Sequence, residues 1–194
     1  MGQVITPYWD PLPTARRLLS PDGSAYATFG TPVFRGEWAD RNWRNVPGPF
    51  YGAKTDCMQL GREYAPEHVA FDEVHEFVFR QPVNERETEA LVTAAGWELY
   101  TNYGWDGDDH WTPEGVRAWW RERGRVREWA VAAAAVWSSY TENPVYVPHH
   151  HDAADGHRDF VAYIDEGLEA CLRGYVFWLE HRREPAPGEA LPLL

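Results

Sequence analysis

The chain of 194 residues has few cysteines and no long apolar run, and each scarcity excludes a class of protein. Two cysteines, Cys57 and Cys171, form at most one disulfide, which excludes a secreted scaffold held together by a disulfide framework. The longest weakly polar run, residues 130–137, is far shorter than the roughly 20 apolar residues that cross a bilayer. No basic region followed by an apolar segment and a cleavage site opens the sequence. We therefore expect a soluble protein of the reducing cytoplasm, with no membrane contact.

Positive charge is also scarce, and only one basic residue is a lysine. The chain has 30 acidic and 18 basic residues, so its net charge is −12. A charge of this sign repels nucleic-acid phosphates unless a basic patch is segregated from it. Basic residues cluster between Arg117 and Arg127, but Glu122 and Glu128 are interleaved with this cluster. The charge pattern disfavours a nucleic-acid partner and favours a basic protein.

Aromatic residues, in contrast, are plentiful. They make up 15% of the chain and include 11 tryptophans, so large flat rings must supply much of the core. A chain of this length is typical of one domain with one core. We expect a single domain over 1–194, with a proline-interrupted arm over 1–24 that is irregular apart from a short helical turn over 14–19, and a proline-rich tail over 184–194.

The N-terminal half predicts a small antiparallel sheet. Residues 26–29 and 31–35 have the β-branched and aromatic content of short strands. Val69–Asp72 and Glu76–Arg80 alternate apolar and polar residues around an acidic turn, which predicts a hairpin. Residues 38–61 are rich in Gly, Pro, Asn and Trp without a period, and we expect a long structured loop there.

Helix signals begin after this sheet. Asn84 followed three residues later by Glu87 resembles a capping box, which predicts a helix over 85–95 that ends at Gly96. These residues would follow the hairpin directly, so the helix is expected to pack on it.

The last 80 residues predict further helices. Thr112 is a favourable N-cap for a helix whose weak point is Gly124, so we expect two helices or one kinked helix. A loop over 141–156 is then followed by a long helix over 157–182, because apolar residues recur at spacings of three and four. The predicted fold class is α+β: a small antiparallel sheet in the N-terminal half packed against C-terminal helices, with long aromatic-rich loops.

Two stretches of the chain resemble a group of uncharacterised actinobacterial proteins. They are residues 43–82, which contain NVPGPFYGAKTDC and EFVFRQP, and residues 107–120, GDDHWTPEGVRAWW. Some members of the group carry the name ferredoxin, which implies an iron–sulfur cluster. Such a cluster needs about four closely spaced cysteine thiolates. Two cysteines 114 positions apart do not supply them, so we expect no cluster and take no catalytic residue from the resemblance.

Aromatic residues in the loops form a candidate ligand-binding site. Asparagine and arginine lie among these rings and would anchor a small molecule. The alternative is that the rings attach long loops to the sheet by burial alone. The candidate residues are Trp38, Asn42, Trp43, Arg44, Tyr51, Tyr103 and Trp105.

A candidate metal site lies in the acidic loop directly after these rings. Its residues, Asp106, Asp108, Asp109 and His110, offer carboxylate oxygens and one imidazole to a divalent ion. The residues His149–His151, followed by Asp152, would complete the site if the two loops converged, and an open position on the metal would activate water for hydrolysis. The alternative is that the carboxylates only support the helix that begins at residue 113.

Cys57 is a candidate nucleophile if a nearby cation lowers the pKa of its thiol. Lys54 and either His68 or His75 are the candidate cations, whereas the neighbouring Asp56 opposes the thiolate. The alternative is a packed, unreactive cysteine.

The sequence contains no nucleophile elbow, phosphate loop, dinucleotide fingerprint or closed zinc motif. We therefore expect a cytoplasmic binding or interaction protein. It would be either an acidic immunity or regulatory protein that binds a basic partner, or a binder of a small molecule through its aromatic loops. The alternative is a metal-assisted hydrolase that uses the Asp106–His110 loop. No cofactor is implied beyond a divalent metal ion, and the oligomeric state stays open.

Overall fold

The computed structural model describes residues 8–19 and 33–194. Within these ranges the chain forms a mixed α+β fold, which confirms the predicted class. The helices are α1 (Leu12–Leu18), α2 (Leu60–Tyr64), α3 (Glu85–Trp97), α4 (Gly107–His110), α5 (Pro113–Ser139), α6 (Val147–Glu166) and α7 (Leu168–His181). The strands are β1 (Tyr51–Gly52), β2 (Val69–Phe71), β3 (Glu76–Val78) and β4 (Tyr103–Gly104), and a 3₁₀ turn spans Trp38–Asp40.

The predicted hairpin is confirmed, but it is one of two separate sheets within residues 8–19 and 33–194. β2 and β3 pair antiparallel with Val69 opposite Val78. β1 pairs with β4, so the second sheet joins the long loop to residues that follow α3. Residues 33–35, expected as part of a strand, are not one, although Arg35 and the following Gly36 donate backbone hydrogen bonds to Thr101 and Tyr103. The other predicted strand, 26–29, lies outside the described residues.

The N-terminal cap of α3 is formed as predicted, but the helix does not end at the predicted residue. Asn84 accepts a hydrogen bond from the backbone of Glu87 at 2.9 Å, and the Glu87 carboxylate accepts one from the Val83 amide at 3.0 Å. The helix continues through Gly96 to Trp97. Its last ring stacks on Tyr64 of α2 with 5.5 Å between centroids, and this contact holds the final turn in place.

α5 begins as predicted and is a single helix of 27 residues. The hydroxyl of Thr112 accepts a hydrogen bond from the Gly115 amide, and Pro113 occupies the first turn. Gly124 does not divide the helix. Glycine in a helix interior costs about 1 kcal/mol relative to alanine, and the packing of a long helix offsets this cost.

Two further helix predictions are wrong. Residues 147–156 belong to α6 and not to a loop, because buried Ala153 and Ala154 pack in a cluster with Phe71 and Trp137. The expected helix over 157–182 is two helices that meet at Gly167, where a Cβ would lie 3.1 Å from the Tyr163 ring. The apolar stripe is nevertheless buried across the break: Phe160, Ile164, Leu168, Cys171, Leu172, Tyr175 and Leu179.

Three clusters of buried residues form the core of the described ranges. The largest packs α5, α6 and α7 against Phe77 and Phe79 of the hairpin, the second lies beneath α1 and α3, and the smallest is the one that contains Ala153 and Ala154. Residues 184–194 return to this body, since Arg173 donates hydrogen bonds to the carbonyls of Leu191 and Pro192. None of the helices in the described ranges is long and apolar enough to cross a membrane.

Candidate functional site

Trp38 in the 3₁₀ turn is the centre of what we call the Trp38 cluster: Trp38, Arg41, Tyr51, His110 and Trp111. The Arg41 guanidinium lies 4.0 Å from the Trp38 ring centre, and the His110 ring stacks on it at 4.8 Å with planes 11° apart. Tyr51 and Trp111 meet it edge-on, each at 5.3 Å. The cluster therefore attaches the loop that carries Trp38 to α4 and to the start of α5.

Asp106 supplies the polar part of this cluster. Its carboxylate accepts a hydrogen bond from the Tyr51 hydroxyl at 2.6 Å and lies 3.1 Å from Nε2 of His110. Burial and this hydrogen bond raise the pKa of Tyr51 well above its ordinary value, so the hydroxyl stays protonated and donates. Asp106 and His110 are both partly exposed. The pair thus presents an imidazole, positioned by a carboxylate, at the protein surface.

The other carboxylates of the acidic loop point elsewhere. Asp108 is buried and accepts a hydrogen bond from the Tyr175 hydroxyl at 2.7 Å, and its burial raises its pKa to about 6. Asp109 is exposed. His150, in the run expected to complete a metal site, packs between Trp137 and Tyr140. A metal site in the Asp106–His110 segment therefore stays a prediction.

A second group of rings and cations surrounds Trp43. The guanidinium groups of Arg44 and Arg125 lie 4.6 and 4.4 Å from its ring centre. Asn42 and Arg44 each donate a hydrogen bond of 2.6 Å to the same oxygen of Asp72 in the turn between β2 and β3. The polar groups expected to anchor a ligand are thus already engaged with the hairpin.

The remaining predicted ligand residues lie in the second core cluster. Tyr103 is fully buried and donates a hydrogen bond to Glu76 at 2.7 Å. Trp105 stacks on Phe34 with 5.4 Å between ring centres and planes 7° apart. The seven predicted ligand residues are therefore spread over three places. Two of them, Trp38 and Tyr51, meet the predicted metal ligands Asp106 and His110.

Glu76 is the centre of a buried carboxyl network that the sequence analysis missed. It is 1% exposed and accepts hydrogen bonds from the Gly61 amide and the Tyr103 hydroxyl, each at 2.7 Å. Burial raises its pKa to about 7. A Cβ at Gly61 would lie 2.5 Å from Glu76, so only glycine admits the carboxyl there.

Two more buried carboxyl groups hold the adjacent loops. Asp56 accepts backbone hydrogen bonds from Met58 and Leu99, and Glu98 accepts them from Asp56 and Asn102. Burial raises the pKa of Glu98. These groups satisfy backbone donors, which is a structural use of carboxylates that a sequence pattern does not reveal.

The cations expected to activate Cys57 are engaged elsewhere. Lys54 pairs with Asp40 at 2.7 Å, while the Nδ1 atoms of His75 and His68 lie within hydrogen-bond distance of the carbonyls of Thr55 and Arg80. Cys57 itself is exposed, and Cys171 is buried, which raises the pKa of the Cys171 thiol. Activation of Cys57 stays a prediction without a positioned base.

α6 presents an acidic face that the sequence analysis also missed. Exposed positions recur along it at spacings of three and four, and all but one are carboxylates: Asp152, Asp155, Asp159, Ala162 and Glu166. The buried Arg62 donates two hydrogen bonds to Asp152, at 2.9 and 3.0 Å. Arg158 pairs with Asp155. Two arginines thus offset part of the negative charge of this face.

Asp159 lies among charges of both signs on this face. Partial burial raises the pKa of Asp159, Arg62 lowers it, and the charges of Asp155, Asp152 and Glu67 raise it. The acidic face therefore has three carboxylates besides Asp159 in its electrostatic surroundings and one buried arginine that offsets them in part.

An open groove of about 660 Å³ runs between α5 and α6 beside the acidic face. Small and apolar side chains form its floor, and Arg158, Asp165 and Glu166 lie among its lining residues. Ala162 and Glu166 belong to both the groove and the acidic face. Large apolar side chains are also exposed along α5 and in the turn that follows it: Val131, Val136, Tyr140, Val145 and Tyr146.

No family model, no curated protein and no solved structure matches the chain.

Proposed function

We propose that the protein is a cytoplasmic binding protein that holds a basic helical segment of a partner protein in the groove between α5 and α6. The observation that carries the proposal is the contiguity of an exposed apolar groove with the acidic face of α6, which share Ala162 and Glu166. Exposed apolar surface bordered by charge is typical of protein interaction sites. An acidic protein that binds a basic partner in this way would act as an immunity or regulatory protein.

The shape of the groove favours a helix over an extended peptide. Its floor contains Ala134, Ala135 and Ala162, whose small side chains allow another helix to approach two antiparallel helices closely. An extended peptide often binds by adding a strand to a sheet edge, and none of the four strands in the described part of the chain borders this groove. The apolar side of the partner helix would contact Val131 and Val161, while its basic side would face Glu166 and Asp159.

The loop residues support this proposal over a small-molecule site. Trp38 is contacted by Arg41 and His110 within 5 Å of its ring centre, and Asn42 and Arg44 already donate to Asp72. These contacts are those expected of rings that attach loops to the body.

A second candidate, hydrolysis at the Asp106–His110 pair, rests on one observation. The carboxylate of Asp106 lies 3.1 Å from Nε2 of His110, so the other ring nitrogen would accept a proton from water, with a bound divalent ion assisting. His110→Gln would abolish such an activity and leave the binding of a basic helix unchanged. Loss of both on this substitution would contradict the separation of the two sites.

The binding proposal is tested with a synthetic amphipathic helix that carries leucine on one side and lysine on the other, with its glutamate counterpart as control. We expect the lysine peptide alone to bind, with an association rate that falls about tenfold between 50 and 200 mM NaCl because salt screens the attraction. Surface plasmon resonance gives the association and dissociation rates separately.

Matched variants locate the binding surface. The pair Asp159→Asn and Glu166→Gln should lower the association rate, and Ala162→Arg should raise the dissociation rate by obstructing the groove. The control pair Asp109→Asn and Glu114→Gln removes the same charge from α4 and the start of α5. A binding rate that responds to the control pair and not to the α6 pair would show that the groove is not the site.

A further inference from the structure

His68, at the edge of the hairpin, has a buried ring nitrogen that makes no hydrogen bond to any residue in the described ranges. The residue is 1% exposed, and its Nδ1 lies 2.9 Å from the carbonyl oxygen of Arg80. A carbonyl only accepts hydrogen bonds, so Nδ1 carries the proton and donates it. Nε2 is buried and has no hydrogen-bond partner among the described residues. The ring is therefore fixed in one orientation with its second nitrogen unused.

Two carboxylates lie where this nitrogen points. Nε2 of His68 is 3.7 Å from Oε2 of Glu87, and a carboxylate oxygen of Glu67 completes a group of three atoms that all lie within 4.8 Å of one another. Because Nδ1 carries the ring proton, an unprotonated Nε2 directs its lone pair at a carboxylate oxygen, which is repulsive unless a cation lies between them.

We propose that Glu67, His68 and Glu87 bind a divalent transition-metal ion such as Zn²⁺. Zinc lies about 2.0–2.2 Å from imidazole nitrogen and carboxylate oxygen, which places neighbouring ligands of a tetrahedral ion about 3.4 Å apart. The observed 3.7 Å between Nε2 of His68 and Oε2 of Glu87 is close to that spacing. The exposed Glu67 side chain, whose ligand oxygen lies within 4.8 Å of the other two ligand atoms, would complete the set by rotation. An imidazole among the ligands favours Zn²⁺ over Ca²⁺ or Mg²⁺.

The surroundings of the three residues fit a metal centre. A histidine that binds metal through one nitrogen usually donates the other N–H to a carbonyl or carboxylate, as His68 does to Arg80. Glu87 also caps α3, but among residues 8–19 and 33–194 each of its oxygens accepts one hydrogen bond, from Asn84 or Val83, and so keeps a lone pair for the ion. Arg86 lies 3.9 Å from Glu67 and is exposed, so it competes only weakly.

The first test is titration of the full chain with Zn²⁺ after removal of metal with EDTA, followed by isothermal calorimetry at pH 7.5. We expect one ion per chain at this site, and at least tenfold weaker binding in Glu67→Gln, whose exposed position leaves folding intact. Two controls should keep wild-type affinity: Glu63→Gln, which removes a charge from α2, and the pair His149→Ala and His151→Ala, which removes exposed imidazoles.

The second test identifies the ligand atom. The ¹⁵N chemical shifts of the His68 ring should show a protonated Nδ1 throughout and a shift of Nε2 on addition of Zn²⁺, which a merely structural histidine would not give. Absence of Zn²⁺ binding, binding that Glu67→Gln leaves unchanged, or binding lost with His149 and His151 would overturn the proposal. A proton found on Nε2 in the presence of Zn²⁺ would also overturn it, since the buried cation would then be the imidazolium.

Discussion

Replacement of Glu76 by glutamine should remove a pH dependence from the stability of the fold. The carboxyl group is buried, and its pKa is raised from an ordinary 4.5 to about 7. Between pH 4.5 and about pH 7 the Glu76 carboxyl keeps its proton in the folded protein but has lost it in the unfolded chain. The contribution of Glu76 to stability therefore falls as the pH rises from about 4.5 to about 7, and is constant above that.

The size of the effect follows from the same two values. The difference between about 7 and 4.5, at about 1.4 kcal/mol for each pH unit, corresponds to about 3 kcal/mol of the free energy of unfolding. Glutamine has nearly the same shape, and it accepts from the Gly61 amide with its oxygen while its NH₂ donates to the Tyr103 hydroxyl. The variant should therefore match the wild type near pH 4.5 and exceed it by about 3 kcal/mol at pH 8.

Urea unfolding of both proteins at four pH values between 4.5 and 8 measures this difference directly. Other groups titrate over the same range, but they are shared by the two proteins and cancel in the comparison. Glu128→Gln, on an exposed position of α5, serves as the control and should show no comparable trend. A difference between wild type and Glu76→Gln that does not change with pH would refute the argument.

Two further predictions concern the core and the thiols. Leu168 is fully buried, so Leu168→Ala should lower the free energy of unfolding by about 2–5 kcal/mol, whereas Leu193→Ala, at a site that is 75% exposed, should cost less than about 1 kcal/mol in the same denaturant titration. A thiol reagent should modify only Cys57 in the folded protein and should reach Cys171 only after unfolding. The purified protein should contain no iron–sulfur cluster, and stoichiometric iron with acid-labile sulfide would contradict this expectation.

The elements that could be predicted from the sequence are those whose causes are local. The hairpin, the Asn84 cap of α3 and the Thr112 start of α5 each depend on residues within a few positions of one another. The pairing of β1 with β4 could not be predicted, since two-residue strands of tyrosine and glycine have no alternation. The break at Gly167 was hidden because the apolar spacing continues through it.

The candidate sites also differ in whether their causes are local. Trp38, Asp106 and His110 could be chosen from the sequence because they are aromatic, acidic and imidazole side chains in loops, and the structure does bring them together. Glu76 gave no such signal, and the sequence suggested His68 only as a cation beside Cys57, because the roles of both residues arise from burial and from neighbours distant in the chain. The sequence of a hairpin does not show whether its carboxylate is exposed or buried, and only burial gives Glu76 its unusual pKa.

The distance along the chain between Tyr51 and Asp106 has a consequence for how the protein folds. Their hydrogen bond joins residues 55 positions apart, whereas the hairpin pairs Val69 with Val78 across a short turn. Closing the longer loop costs about 2 kcal/mol more chain entropy, so the hairpin and α3, which lie inside that loop, form before its ends meet. The Trp38 cluster is then assembled late in refolding. Because the chain has 11 tryptophans, the difference in fluorescence between the wild type and Trp38→Phe would report this final step, while helix formation, followed by circular dichroism, would be complete earlier.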